Sequence, residues 1–460
     1  MKKHDAINSI MEYYESGTFL KILSQAVNMR TLSQAEENQT DLYAYIHEFM
    51  MPLLTDMDFV CKSYENPVSG KPPFMVGHRF EDEKLPTILL YGHGDVIYGM
   101  DERWGDGRSP WHISSEDNKI YGRGTADNKG QHLINILSLK SIIELKKGNI
   151  GLNIKILLEM GEENGSPGII DFCSENKKLL AADVFIASDG PRIADNIPTL
   201  YLGSRGVFNF CMEVKLRDKD FHSGNWGGII KDPGIILSNA ISCIVDHNGR
   251  IKIQELKPKE IPEDVKNSLS SIEIRPSISN SSPDIFEQWG EPGLSLSEKL
   301  YGWNSFSVLA LDSGNPVTPT HAISGSAKAY CHIRYVTESD PLKFLTAIRN
   351  TLKKEGINDI TLYEDKSHFM QATRLNQNNS WVIRAKKSME DSLGKKITIL
   401  PNLGGSIPNA AFSDVLSLPT LWIPHSYPSC AQHAPDEHLL TTIIQEGLQI
   451  MTGLFWDLAE

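Results

Sequence analysis

Three observations predict an α/β chain with a large sheet-and-helix domain interrupted by a smaller unit. Short apolar runs rich in branched residues, at 86–90, 154–158 and 184–187, read as buried strands of an open sheet. A long helical pattern begins at Gly130, with Leu133, Ile134, Ile136, Leu137 and Ile143 as its core positions. Past residue 203 the texture changes: 208–216 and 327–336 alternate with period two, as half-exposed antiparallel strands do. The first two describe a large domain with a central sheet flanked by helices, and the third a small α/β sandwich inserted into it. The boundaries follow as 1–203 for the first part of the large domain, 204–369 for the insert and 370–460 for the second part.

Taken in order, 5–15 and 41–54 carry apolar residues at helical spacing and read as packing helices. Strands are expected around 59–61 and 74–76, separated by a turn-rich segment. A hairpin turning at 116–119 leads the chain to Asp127. The helix from Gly130 closes at Lys146, Lys147 and Gly148, with cations in its last turn and glycine just beyond. The insert is read as two strands and two helices, at 233–245 and 341–354, and 251–300, rich in Pro, Ser and charge, as an irregular excursion of it. The large domain resumes with a helix at 380–393, a glycine-rich loop at 401–408, a strand at 420–423 and the segment from Gln432 to His438.

Composition narrows the function classes. The chain has 460 residues, 40 % hydrophobic and 22 % charged, which is ordinary for a globular enzyme with a substantial core. A formal net charge of −13 disfavours a nucleic-acid partner, whose phosphates need clustered Lys and Arg. No apolar run approaches the ~18 residues that span a bilayer, and the N-terminus has no signal-peptide core, so a cytoplasmic protein without a membrane partner is expected. Six cysteines without paired spacing read as reduced thiols. Cys430 is expected to line the pocket near His433, with a metal contact as the minor reading. His112, His132, His247, His332, His368, His425 and His438 read as packing or surface residues.

The chemistry sits where strands end. His93 and Asp95 follow the 86–90 run, Glu162 and Glu163 the 154–158 run, and Asp189 the 184–187 run; ligands of open α/β sheets bind at such carboxyl ends. His and Asp two apart on an extended chain point the same way, so the carboxylate can hold one imidazole nitrogen while the other binds a metal. With Asp127 and His433, the set of two imidazoles and several carboxylates suits two divalent ions such as zinc, with manganese or cobalt as alternatives. Such ions lie ~3.5–4 Å apart around a bridging carboxylate and a shared water, whose hydroxide form attacks the substrate. One of Glu162 and Glu163 would face the metals and the other serve as general base.

The motifs G-H-G-D at 92–95, G-R-G-x-x-D-x-K-G at 122–130, E-E-x-G-S at 162–166 and S-D-G at 188–190, followed by a distant histidine, resemble the dinuclear zinc peptidase family of carnosinases, aminoacylases, carboxypeptidase G, acetylornithine deacetylase and succinyl-diaminopimelate desuccinylase. The resemblance runs over essentially the whole chain and is nearest to the dipeptidase-like branch. It implies a zinc-peptidase-type catalytic domain with a mixed central sheet, and an inserted domain acting as lid and dimerisation unit. It implies Asp127 as bridging ligand, His93 and Asp189 on one metal, Glu163 and His433 on the other, Glu162 as general base and Asp95 behind His93. A cis peptide is implied at Asp127–Asn128, although relatives often have Asp where this chain has Asn128. His222, in F-H-S-G at 221–224, is implied as an oxyanion donor reaching a partner subunit's site, and Arg334 as the grip on a substrate carboxylate. Gly405 and Ser406, in G-G-S-I-P at 404–408, resemble the loop that holds the substrate terminus, and His321 stands at a substrate-contact position where relatives have Asn. The expected activity is hydrolysis of the amide bond of a dipeptide or small peptide with a free carboxylate, by a homodimer. The alternative is a deacylase or desuccinylase of N-acyl amino acids.

Overall fold

The structure is a computed structural model that describes residues 2–34, 39–274 and 284–459, apart from the side chains of 366–368, so that His368 lies outside the description. An eight-stranded sheet runs in the order Val60–Tyr64, Phe74–Arg79, Asn153–Glu159, Thr87–His93, Val184–Ala187, Thr420–Trp422, Thr199–Tyr201, Thr398–Leu400. It is mixed. The four strands from Asn153–Glu159 to Thr420–Trp422 run parallel to one another, while the first two strands pair antiparallel, the second also with Asn153–Glu159, and Thr199–Tyr201 is antiparallel to Thr420–Trp422. Thr87–His93 is paired on both sides, and its successive side chains feed opposite cores: Ile88 and Leu90 one, Leu89 and Tyr91 the other. That two-sided burial is why its sequence reads as a continuous apolar run rather than an alternation.

One face of the sheet is covered by helices Lys3–Glu15, Lys129–Leu145, Ser380–Leu393 and Thr441–Leu458, which share a core with it. Lys129–Leu145 is buried on nearly all sides and ends where Lys147 and Gly148 turn left-handed. A further helix, Thr18–Asn28, was not anticipated; it buries Phe19, Leu23, Ala26 and Val27. Its last carbonyls receive the buried ammonium of Lys129, at 2.9 Å from Ala26 O and 2.7 Å from Met29 O. The helix expected over 41–54 forms with a π-helical stretch, Tyr45–Met50, between two α-helical ones. None of the helices among the described residues is long and apolar enough to cross a membrane.

The insert carries a four-stranded antiparallel sheet in the order Ser305–Ser313, Ser326–Tyr335, Gly206–Lys215, Thr361–Met370, twice the expected number of strands. The two missed strands are its edges. Ser305–Ser313 lies mostly in solvent and Thr361–Met370 is largely polar, so neither imposes an apolar alternation on the sequence. Helices Pro233–Ile244 and Phe344–Lys354 pack against Phe208, Phe210, Met212 and Ile333 on one face. The opposite face presents His332 and Arg334 to a cavity that also touches Glu162 and His433.

The segment 251–300 departs from expectation. It contains helices Glu263–Leu269 and Leu296–Tyr301, and Ile261, Val265, Leu269 and Tyr301 join the core of the large sheet rather than that of the insert. The spacing 261, 265, 269 is one helical face, hidden in the sequence by the surrounding Pro and Ser.

Candidate metal centre

The parallel strands all end at one edge, and there the predicted polar residues meet. His93 terminates Thr87–His93 beside Glu159, the last residue of its neighbour. The glycines flanking His93 are required by packing: a Cβ on Gly92 would stand 2.5 Å from the Cβ of His132, and one on Gly94 2.5 Å from the ring of Tyr45. Asp127 arrives on the loop that follows the hairpin of Ser114–Glu116 and Lys119–Tyr121, and the Asp127–Asn128 peptide is cis, as the resemblance implied.

Asp127 stands between two imidazoles. Its Oδ1 is 3.0 Å from His93 Nε2 and its Oδ2 is 3.1 Å from His433 Nε2. Asp189 approaches His93 Nε2 at 3.7 Å and Glu163 approaches His433 Nε2 at 3.0 Å. Two groups of three result, His93–Asp127–Asp189 and Asp127–Glu163–His433, with candidate ligand atoms within 4.8 Å of one another in each group. Asp95 lies behind His93: its Oδ1 is 3.3 Å and its backbone carbonyl 3.1 Å from His93 Nδ1. The same carboxylate accepts the N–H groups of Glu162 at 3.2 Å and Glu163 at 3.1 Å, tying the ends of two strands together. Glu162 and Glu163 occupy a 3₁₀ turn, Glu162–Asn164.

The electrostatics are those of crowded, buried carboxyls. Burial and the neighbouring charges of Asp189, Glu163 and Asp127 push Glu162 well above the usual range, against the pull of His93. Burial and Asp127 raise Glu163 to about 7 and Asp189 to about 6. Burial also acts on Asp127, but hydrogen bonds from His433 and His93 outweigh it and hold that carboxyl well below its ordinary value. Hydrogen bonds to Asp127 and Glu163 raise His433 to about 11. Three carboxyls and two imidazoles with one shared carboxylate are a donor set that fits a pair of divalent cations, which would offset the repulsion among the acids.

Residues that sequence reasoning passed over hold this set in place. Glu437, fully buried, accepts the N–H groups of Gly124, Ala126 and Asp127 at 3.1, 2.9 and 3.0 Å on one oxygen and Arg123 at 2.7 Å on the other. Gln432 donates to Asp127 Oδ2. Asn128 donates to Ser188 O at 2.7 Å, linking the Asp127 loop to the strand end that carries Asp189. The only sequence signal for Gln432 and Glu437 was their place beside His433. His433 itself has φ 60°, a left-handed backbone uncommon for a non-glycine residue. Cys430 is not pocket-lining: it packs in the core of the large domain, where burial pushes its thiol up to about 12.

Two cavities, of about 460 Å³ and about 400 Å³, flank the centre and share Glu162, His433 and Ser406. Gly405 lines the first and Arg334 the second. Ser406 Oγ accepts from Arg334 at 2.6 Å and donates to Arg205 O at 2.6 Å. His222 and His321 are not brought to the centre. They are exposed on the insert, where the short strand Phe221–His222 pairs with Ala322–Ile323 and His321 O accepts the N–H of Ser223 at 2.8 Å.

Comparisons place this arrangement among known proteins. The chain is 26 % identical over 403 residues to the Beta-Ala-His dipeptidase of Rattus norvegicus, covering 85 % of this chain and 80 % of that one. It is 26 % identical over 335 residues to the Cysteinylglycine-S-conjugate dipeptidase of Corynebacterium striatum, covering 70 % of each. The solved structure of the di-peptidase Dug1p from Saccharomyces cerevisiae shares the fold, with a TM-score of 0.81 and 19 % identity over 100 % of this chain and 98 % of that one. The sequence profile of peptidase family M20/M25/M40 matches residues 89–457, the stretch that holds the whole donor set and both cavities, and the chain belongs to that family.

Proposed function

We propose that the protein is a metal-dependent dipeptidase, acting on a dipeptide or small peptide with a free carboxylate. The observation that carries the reading is Asp127, whose two oxygens face His93 and His433 and so divide the ligands between two sites. His93, Asp127 and Asp189 would hold one cation and Asp127, Glu163 and His433 the other. When bound, two divalent cations, zinc by this reading with manganese or cobalt as alternatives, supply Lewis acidity to a shared water and to the scissile carbonyl. Asp95 fixes the ring of His93. Glu162, which lines both cavities beside the donor set, acts as a carboxylate, taking a proton from the attacking water and returning it to the departing amine. Arg334, held by Ser406, offers its planar fork to the substrate carboxylate, and Gly405 lines the adjoining cavity. The relatives that are dipeptidases support peptides over N-acyl amino acids.

The active form in this reading is a homodimer through the insert. Support comes from the edge strand Ser305–Ser313, which exposes Leu309 and Leu311, and from His222 and His321, which are exposed and line neither cavity. A second copy would bring His222 to the carbonyl oxygen as an oxyanion donor, with His321 beside the substrate. A cytoplasmic location belongs to the same reading, supported by the sparse, unpatterned cysteines.

The test is a panel of dipeptides against N-acetyl and N-succinyl amino acids on metal-loaded protein, with metal content measured in parallel. Two metals per chain and turnover of dipeptides are expected. Turnover of the acyl substrates alone would make the protein a deacylase, and loss of no activity after exhaustive chelation would remove the metals from the reaction.

A further inference from the structure

The two cavities differ in chemistry. On the dipeptidase reading, Arg334 assigns the smaller one to the carboxylate end of the substrate, which leaves the cavity of about 460 Å³ to the residue on the other side of the scissile bond. Its acidic groups, Asp127, Glu162 and Asp189, stand at the metal centre, where they can meet a free amine. Its cation, Arg192, is buried and ion-paired with Glu446. Gln432 and His433 are engaged with Asp127 and Glu163, and Ser406 with Arg205 and Arg334; the remaining wall is apolar or aromatic, with Leu403, Ile407, Tyr201 and Tyr301 all buried members of the core under the large sheet.

Leu403 has the defining position. It packs over Gly190, the residue after Asp189: a Cβ on Gly190 would stand 3.2 Å from Leu403 Cδ2. Its backbone is fixed, the N–H donating to Gly203 O at 2.8 Å and the carbonyl accepting from Arg205 at 3.0 Å. Across the same loop, Leu300 and Tyr301 close on Gly404, whose Cβ would meet them at 3.4 and 3.5 Å. A charged or strongly polar side chain pressed against Leu300, Leu403, Ile407 and the tyrosine rings would lose its water there, whereas an apolar one gains by burial.

We propose that this cavity is the specificity pocket for the side chain of the substrate's first residue, and that it selects a large apolar side chain, with Leu403 as its determinant. The measurement is kcat/KM on Gly-Gly, Asp-Gly, Lys-Gly, Leu-Gly and Phe-Gly with the metal-loaded full chain. Leu-Gly and Phe-Gly are expected to exceed Gly-Gly and Asp-Gly by roughly ten- to a hundredfold. Leu403→Ala lowers the Phe-Gly to Gly-Gly ratio several-fold, and Leu403→Glu raises the Lys-Gly to Leu-Gly ratio at least about tenfold by placing an anion in the wall. Equal values across the panel, or ratios unmoved in Leu403→Ala, would overturn the inference while leaving the protein a dipeptidase. If every dipeptide is inert, the dipeptidase reading falls, and N-acetylglycine against N-hexanoylglycine reads the same cavity: a preference for the longer chain supports the pocket, and equal rates overturn it.

Discussion

Glu162 is one of three residues shared by both cavities, and it stands beside the donor set without belonging to either group of three. Glu162→Ala should retain both metals yet lower turnover by about 10²–10⁴, as loss of a general base does; metal analysis beside steady-state rates checks it, and unchanged turnover would remove Glu162 from the mechanism. His132 makes a prediction about stability. Its ring is buried between Asn128 Oδ1 at 3.2 Å and the Tyr45 hydroxyl at 3.0 Å, and burial with the nearby His93 and Lys129 lowers it from 6.5 to about 3. The folded state therefore resists its protonation, so the contribution is complete above pH ~6.5 and is lost as pH falls toward 3, with a slope of up to about 1.4 kcal/mol per pH unit. His132→Gln should flatten that limb in urea unfolding between pH 6.5 and 4; an unaltered slope would show that His132 does not set it. The polar residues at strand ends were legible one by one because each follows an apolar run. The contact of His132 with Tyr45 was not, since nothing local relates positions 45 and 132.

At the scale of elements, the loop from Gly122 to Gly130 depends on a carboxylate more than three hundred positions away. Glu437 serves three of its N–H groups and Arg123 together, so Glu437→Gln leaves a buried guanidinium without its anion and turns a donor toward the N–H groups. A loss of about 3–5 kcal/mol is expected from denaturant unfolding, with weaker metal retention by the same variant. A change below about 1 kcal/mol would mean that the loop is held elsewhere. Strands buried on both faces, such as Thr87–His93, announced themselves by composition. The edge strands of the insert and the helix Glu263–Leu269 did not, because exposure or surrounding Pro and Ser erased the periodicity on which such readings rest.

At the scale of the whole molecule, the exposed His222 and the exposed apolar edge of the insert make assembly testable in one experiment. His222→Ala and Glu162→Ala should each be nearly inactive, with His222→Ala costing about 10²–10³ in turnover as for loss of an oxyanion donor. Mixed and re-equilibrated, they should recover up to about a quarter of wild-type activity if histidine and glutamate come from different chains, since half the subunit pairs are then mixed and each carries one intact site. Recovery at the level of the separate variants would favour a site completed within one chain.

The sequence by itself pointed to His93, Asp95, Glu162, Glu163 and Asp189, because imidazoles and carboxylates just after buried apolar runs are a local feature, while their division between two cations rested on the family resemblance. The change from apolar runs to alternation also marked two strands of the second, antiparallel sheet. Only the tertiary structure decided which oxygen of Asp127 faces which histidine, that Glu437 and Gln432 brace it, and that Leu403 walls a cavity. Those facts depend on distances between segments hundreds of positions apart, which are set by how the sheet and its helices pack and leave no trace in local spacing.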